Sequence, residues 1–135
     1  MILRKAWFWR IMLVVYLAAV AYICFAGQGS LPSFDYWPFS IPADKCVHFL
    51  MFRPWPILAC LAFMPGHSMV PVLLLMTLVG LALAGTTEWV QGLLPYRSKD
   101  VWDFIADCLG LLAGALLFAA FYLFLQRSGT RSARN

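Results

Sequence analysis

Charge is what this sequence has least of. Charged residues fill 12% of its 135 positions, ten Lys and Arg against six Asp and Glu, while hydrophobic residues fill 63% and the mean hydropathy is +0.80. A soluble domain of this length leaves too much surface in water to hide so much apolar side chain, so that class is excluded and lipid must be the solvent. Cysteine is sparse and scattered. Cys24, Cys46, Cys60 and Cys108 suit small packing residues better than a disulfide scaffold, although Cys46 and Cys108 fall near the same end and could pair within the narrow geometry a disulfide allows. Histidine is limited to His48 and His67. With no HExxH run and no Cys/His cluster, no residue is assigned as a zinc ligand and no cofactor is read. The chain also lacks internal repeats. Its net charge of +4 comes largely from its two ends, which reads as membrane orientation and contact with anionic lipid, not as nucleic-acid binding.

What is present is four apolar stretches, at about 7–26, 45–64, 70–94 and 101–125. A bilayer core of about 30 Å needs roughly 20 such residues per helix, so the expected fold is an all-α membrane protein, a single four-helix bundle over 1–126 with a short basic, disordered tail over 127–135. The first stretch follows Arg4, Lys5 and Arg10 and rivals a signal peptide. Its length, the belt Trp7-Phe8-Trp9 and a poor cleavage site at Ala26-Gly27 favour an uncleaved anchor. Lipid modification at Cys24 is disfavoured, because Ile23 precedes it where a small residue is wanted.

Arg4, Lys5 and Arg10 before the first span and Arg127, Arg131 and Arg134 after the fourth place both termini in the cytoplasm. Segments 27–44 and 95–100 then lie outside, with Lys45, Arg97 and Lys99 weakening the bias without reversing it, and Pro65-Gly66-His67-Ser68 forms a tight inner turn. The Pro-, Gly- and aromatic-rich segment 27–44 resists regular structure. It would lie along the interface as a passive connector or as a lid.

All six acidic residues, Asp35, Asp44, Glu88, Asp100, Asp103 and Asp107, fall at that outer side. Asp44 and His48 are four apart on one helix face; Glu88 and Gln91 are three apart, on a small-residue stripe through Ala84, Gly80 and Thr77. Asp100, Asp103, Asp107, Gly110 and Gly114 run at steps of three or four, which puts the carboxylates and a GxxxG surface on one side, toward protein. At 1.5 Å per residue, Glu88 and Asp107 each lie about 9 Å below their helix ends. Arg53 sits near mid-membrane, where an unpaired charge costs about 2.5–3.5 kcal/mol, so an ion pair with Asp107 or Glu88 is expected. Pro54 and Pro56 behind it remove two backbone donors and should kink the second span.

The linked motifs Asp44-Lys45-x-x-His48-Phe49, Glu88-x-x-Gln91, Pro95-x-Arg97 and Asp103-x-x-x-Asp107-x-x-Gly110-x-x-x-Gly114 resemble the VanZ-like family of small bacterial membrane proteins over about residues 10–125. Many relatives carry Asn where this chain has Asp107, and Gly where it has Tyr96. The resemblance implies a multi-pass protein of the bacterial inner membrane and a link to low-level teicoplanin resistance, the property of the founding member. It implies no biochemical activity.

The residues support two readings. In the first, an outward polar pocket binds or processes an anionic amphiphile, a phospholipid or an isoprenoid-phosphate wall precursor: His48, Glu88 and Asp107 would supply acid–base chemistry, or could instead hold a divalent cation, while Asp44, Lys45, Gln91, Arg97, Asp103 and also Lys99 would bind the head. In the second, the cluster is a non-catalytic network that fixes helix register in an envelope scaffold or partner protein, with Arg53, Gly110 and Gly114 structural in either case. A transporter is disfavoured, because the inner half of the bundle is nearly free of polar groups; only a homo-oligomer could form a pore. A faint likeness of Lys45…Arg53-Pro54, Pro65-Gly66-His67 and Arg97…Asp103 to the membrane lipid phosphatase signature fails, because the Pro-Gly-His turn falls at the opposite face.

Overall fold

A computed structural model describes residues 6–26, 38 and 40–132. Asp35, the segment 27–37 expected to act as connector or lid, and the basic residues Arg4, Lys5 and Arg134 lie outside the described residues. Those described are helical, with no strand: α1 Ala6–Phe25, α2 Ala43–Phe52, α3 Pro54–Phe63, α4 Met69–Gln91 and α5 Val101–Ser132. Four spans are long and apolar enough to cross a membrane, α2 and α3 together making one of them, Ala43–Phe63. Large apolar side chains such as Leu74, Leu78, Leu112 and Leu116 point outward, as a lipid solvent requires.

The second span is the axis of the bundle: half of it is buried, against 11–22% of the other three. Its upper half α2 packs on α5, and its lower half α3 is enclosed by α1, α4 and α5. Small residues permit this. Ala59, Ala62 and Ala84 are fully buried, and a Cβ on Gly80 would collide with Trp55 and Leu111. Trp55 closes the joint by donating its indole N–H to the Met76 carbonyl at 2.6 Å.

The expected break in the second span falls at Arg53, where α2 ends and α3 begins with Pro54 at its first position. Here α5 presses closest: a Cβ on Gly110 would overlap the Phe49 carbonyl oxygen, and one on Gly114 the Arg53 carbonyl oxygen. The expected ion pair of Arg53 does not form. Its side chain is exposed and meets neither Asp107 nor Glu88, because five residues beyond His48 is a turn of about 140° around the helix, away from the carboxylates.

Three boundaries differ from the sequence reading. α4 stops at Gln91, with Gly92 as its C-cap and turns through Leu94, so Glu88 lies about 4.5 Å below the helix end and not about 9 Å. α5 runs on to Ser132 where a disordered tail was expected after Gln126; no proline falls between them, and Ser128 bonds back to the Phe124 carbonyl at 3.0 Å. α2 begins at Ala43, ahead of the expected 45, with Pro42 at the N-cap position and Asp44 in its first turn. The tight turn between α3 and α4 is present, with Gly66 at φ 85°, a left-handed conformation that glycine adopts freely.

Candidate functional site

The C-terminus of α1, the N-terminus of α2, the C-terminus of α4 and the N-terminus of α5 meet at one end of the bundle, and five of the six carboxylates gather there in two tiers. The upper tier surrounds Lys45. Its ammonium donates to Asp44 at 2.8 Å and to Asp100 and Asp103 at 2.5 Å each, tying α2 to the start of α5. Asp100 also caps α5, accepting the Trp102 N–H at 2.9 Å. The hydrogen bond from Lys45 holds the Asp100 carboxyl below the usual carboxylate range.

The lower tier is His48, Glu88 and Asp107, all buried, at 8%, 3% and 0% exposure. One ligand-capable atom from each lies within 4.8 Å of the others, although the three residues come from different spans. His48 Nδ1 sits 2.9 Å from Asp107 Oδ1, a hydrogen bond when the proton is on Nδ1, and its Nε2 is 3.7 Å from Asp103 Oδ2. Glu88 Oε2 accepts the Asp100 N–H at 3.2 Å. The remaining oxygens, Glu88 Oε1 and Asp107 Oδ2, are buried without a hydrogen-bond partner. Such acceptors are costly to leave open, which marks this tier as a place for a proton, a donor or a cation. Chemically it offers a carboxylate-oriented imidazole and a second carboxylate, the equipment of proton transfer or of metal ligation.

Gln91 and Arg97 lie in the same end but turn toward α1. Gln91 donates to the Cys24 carbonyl at 3.1 Å, and Arg97 donates to the carbonyls of Ile23 and Ala26 at 3.0 and 3.3 Å. Tyr96 joins them on Phe25 at 3.1 Å, so three side chains close the C-terminal end of α1. Lys99 is exposed, outside both tiers. Tyr16 of α1 went unread in the sequence. It donates to the Met51 carbonyl at 2.6 Å, and a phenol inside an apolar helix is itself a signal that a buried acceptor is near. The four cysteines are free.

Beside the two tiers a groove of about 830 Å³ opens between α2 and α5, walled mainly by apolar side chains including Pro42, Phe49, Leu50, Trp102, Ile105 and Leu109. Lys45 belongs to its wall and to the upper tier at once.

A protein-family model described as VanZ/LLP1 matches residues 11–124, most of the chain and all of the residues just described. The chain belongs to the VanZ/LLP1 family. No curated protein and no solved structure shows a significant match to it. For this VanZ/LLP1 member the motifs quoted from the sequence therefore fall together in space: Asp44-Lys45-x-x-His48 on α2, Glu88-x-x-Gln91 on α4, and Asp103-x-x-x-Asp107 with its two glycines on α5.

Proposed function

We propose that this VanZ/LLP1-family membrane protein binds, in the outer leaflet, an amphiphile with a phosphate-bearing head, its chain lying in the α2–α5 groove and its head reaching His48, Glu88 and Asp107. The observation that carries the reading is the shared wall at Lys45: the apolar groove ends on the cation of the upper tier, and His48, with the incompletely bonded Asp107 beside it, lies three residues further along α2. The positive-inside tendency supports an outward orientation: Arg10, whose Nε donates to the Ala62 carbonyl at the far end of α3, lies at the opposite end of the bundle. The bacterial inner membrane is the compartment this orientation implies.

In this reading Lys45 and Asp103 form the mouth, and the lower tier is the floor. Gln91 and Arg97 act at one remove, by fixing α1 against the site: Gln91 Nε2 and Arg97 Nη2 donate to backbone carbonyls of α1 and its end, while Arg97 Nε is buried without a hydrogen-bond partner among the described residues. A phospholipid and an isoprenoid-phosphate wall precursor present the same two-part chemistry. Membership of a family whose founding member is linked to teicoplanin resistance favours the precursor.

Native mass spectrometry of gently purified protein tests this directly. A bound lipid of defined mass names its source, and Leu109→Trp, which narrows the groove from a position 53% exposed, should remove it without unfolding the bundle. Retention of every lipid in that variant would refute the groove as the binding place.

A further inference from the structure

The cluster carries more negative charge than its cation can offset. Five carboxylates meet one lysine, and all three of the hydrogen bonds Lys45 can donate go to the upper tier. Below it, Glu88 and Asp107 lie close together beside His48, and each holds one buried oxygen that no described residue satisfies. An ionised carboxylate buried this way costs several kcal/mol unless a positive charge joins it. An anionic lipid head brought to such a floor would be repelled.

We infer that His48, Glu88 and Asp107 bind one divalent first-row cation, seated between Glu88 Oε1 and Asp107 Oδ2 with the imidazole as the nitrogen ligand. Two carboxylate oxygens and one imidazole suit Mn²⁺ or Zn²⁺ better than a soft ion, which would want thiolate, or Ca²⁺, which would want six or more oxygens. Metal–ligand bonds of about 2.0–2.2 Å need ligand atoms roughly 3–3.5 Å apart. His48 Nδ1 stands 2.9 Å from Asp107 Oδ1, the other oxygen of that carboxylate, so imidazole and carboxylate are already adjacent, and ligand atoms within 4.8 Å of one another leave a closure that side-chain rotation can supply. Three protein ligands leave coordination positions open. The inference deepens the function proposed above and rests on the lower tier being a binding centre: the cation turns a floor that repels phosphate into one that a phosphate oxygen can complete, with His48 serving as ligand. Asp44, Asp100 and Asp103 form a second acidic group, but Lys45 already fills it.

The test uses the full chain in detergent, stripped with chelator and titrated with Mn²⁺ alone, then with Zn²⁺ alone, reading stoichiometry by calorimetry and the loss of the free Mn²⁺ spin-resonance signal. One equivalent per chain is expected, with at least a tenfold weaker affinity in Glu88→Gln and Asp107→Asn and none lost in Asp44→Asn. A pulsed spin-resonance experiment on bound Mn²⁺ in the unmutated protein should show nitrogen coupling from one imidazole, so the inference stays testable even where a variant does not fold. Absence of saturable binding, absence of nitrogen coupling, or equal affinity in Glu88→Gln would overturn it. Cation bound with no amphiphile at any concentration keeps this inference and sinks the proposed ligand; amphiphile bound with no cation does the reverse.

Discussion

Gly114→Ala is the sharpest probe of how this bundle is built, because the added methyl meets backbone and not a side chain that can swing aside. Its Cβ would overlap the Arg53 carbonyl oxygen and stand 3.1 Å from both the Arg53 carbonyl carbon and Pro56 Cδ. The α2–α3 junction holds that carbonyl in place, so α5 must retreat by roughly 1 Å to restore an ordinary carbon–oxygen contact. Overpacking of this kind costs about 1–3 kcal/mol. At this chain length each kcal/mol lowers the midpoint by about 4 °C, so a fall of about 4–12 °C is expected. Gly110→Ala should behave alike, its Cβ falling on the Phe49 carbonyl. The double variant should lose less than the sum, since the first retreat of α5 makes room for the second methyl. A thiol-reactive fluorogenic dye reads the transition, because Cys24 and Cys60 are buried at 1% and 0% exposure and become available only on unfolding. Gly85→Ala is the internal control. Its Cβ meets nothing nearer than Phe104 Cε2 at 3.9 Å, and exchanging a helical glycine for alanine should raise stability by about 0.5–1 kcal/mol. Equal midpoints for Gly114→Ala and Gly85→Ala would refute the close packing of α5 on the kink.

Three further perturbations separate the parts of the structure. Trp55→Phe removes the indole bond to Met76 while keeping most of the packing, and should cost about 1 kcal/mol in the same dye assay, with no change in lipid or cation binding. Arg97→Gln loses the charge-assisted bonds to Ile23 and Ala26, so the C-terminal turn of α1 should open and Cys24 should label faster under native conditions, while Cys60, far from that end, should not. Asp100 titrates lower in the folded protein than in the unfolded chain because Lys45 bonds its charged form. The stabilisation this supplies is therefore complete above the unfolded carboxylate pKa of about 3.9 and fades as pH falls through the lower folded value, so the melting midpoint of Asp100→Asn should depend less on pH below about 4 than that of the unmutated protein.

The four spans and the gathering of the five described acidic residues were legible in the sequence, since both rest on period and spacing: Glu88 and Gln91 share a face whatever the tertiary details, and so do Asp103, Asp107, Gly110 and Gly114. The small stripe Gly80–Ala84–Glu88–Gln91 is buried as its composition required. Partnership was harder to read, because it depends on how far each helix is rotated about its own axis. Lys45 and Arg97, two cations at the same end, go to different places, one to three carboxylates and the other to two carbonyls. Arg53 was misplaced for the same reason: burial cost argues that a charge wants a partner, but not that the helix face allows one. His48, Glu88 and Asp107 stand in three separate motifs, 40 and 19 residues apart, and were grouped from the sequence by their shared depth at one end; the packing of α2, α4 and α5 adds their distances and the two open oxygens.

Adhesion alone does not explain the lower tier. Four of the bonds that hold helix to helix here put a side-chain donor on a backbone carbonyl: Tyr16 on Met51, Trp55 on Met76, Gln91 on Cys24, Arg97 on Ile23. Each such pair is satisfied at its acceptor and places no carboxylate in the interior. His48, Glu88 and Asp107 depart from that pattern, with two open acceptors and two carboxylates where an amide would bond its neighbours without net charge. Asp107→Asn therefore separates stability from binding. It removes a buried negative charge whose Oδ2 has no partner and supplies an N–H donor there, while the amide oxygen can still accept from His48, so the cation-free protein should melt higher. Asp107→Ala should instead destabilise it, since it leaves His48 without its partner and opens a void at a position of 0% exposure. A tier built only to hold the bundle together requires both variants to melt below the unmutated chain in chelated buffer. A tier kept for a ligand requires the asparagine variant to melt above it while cation binding is lost.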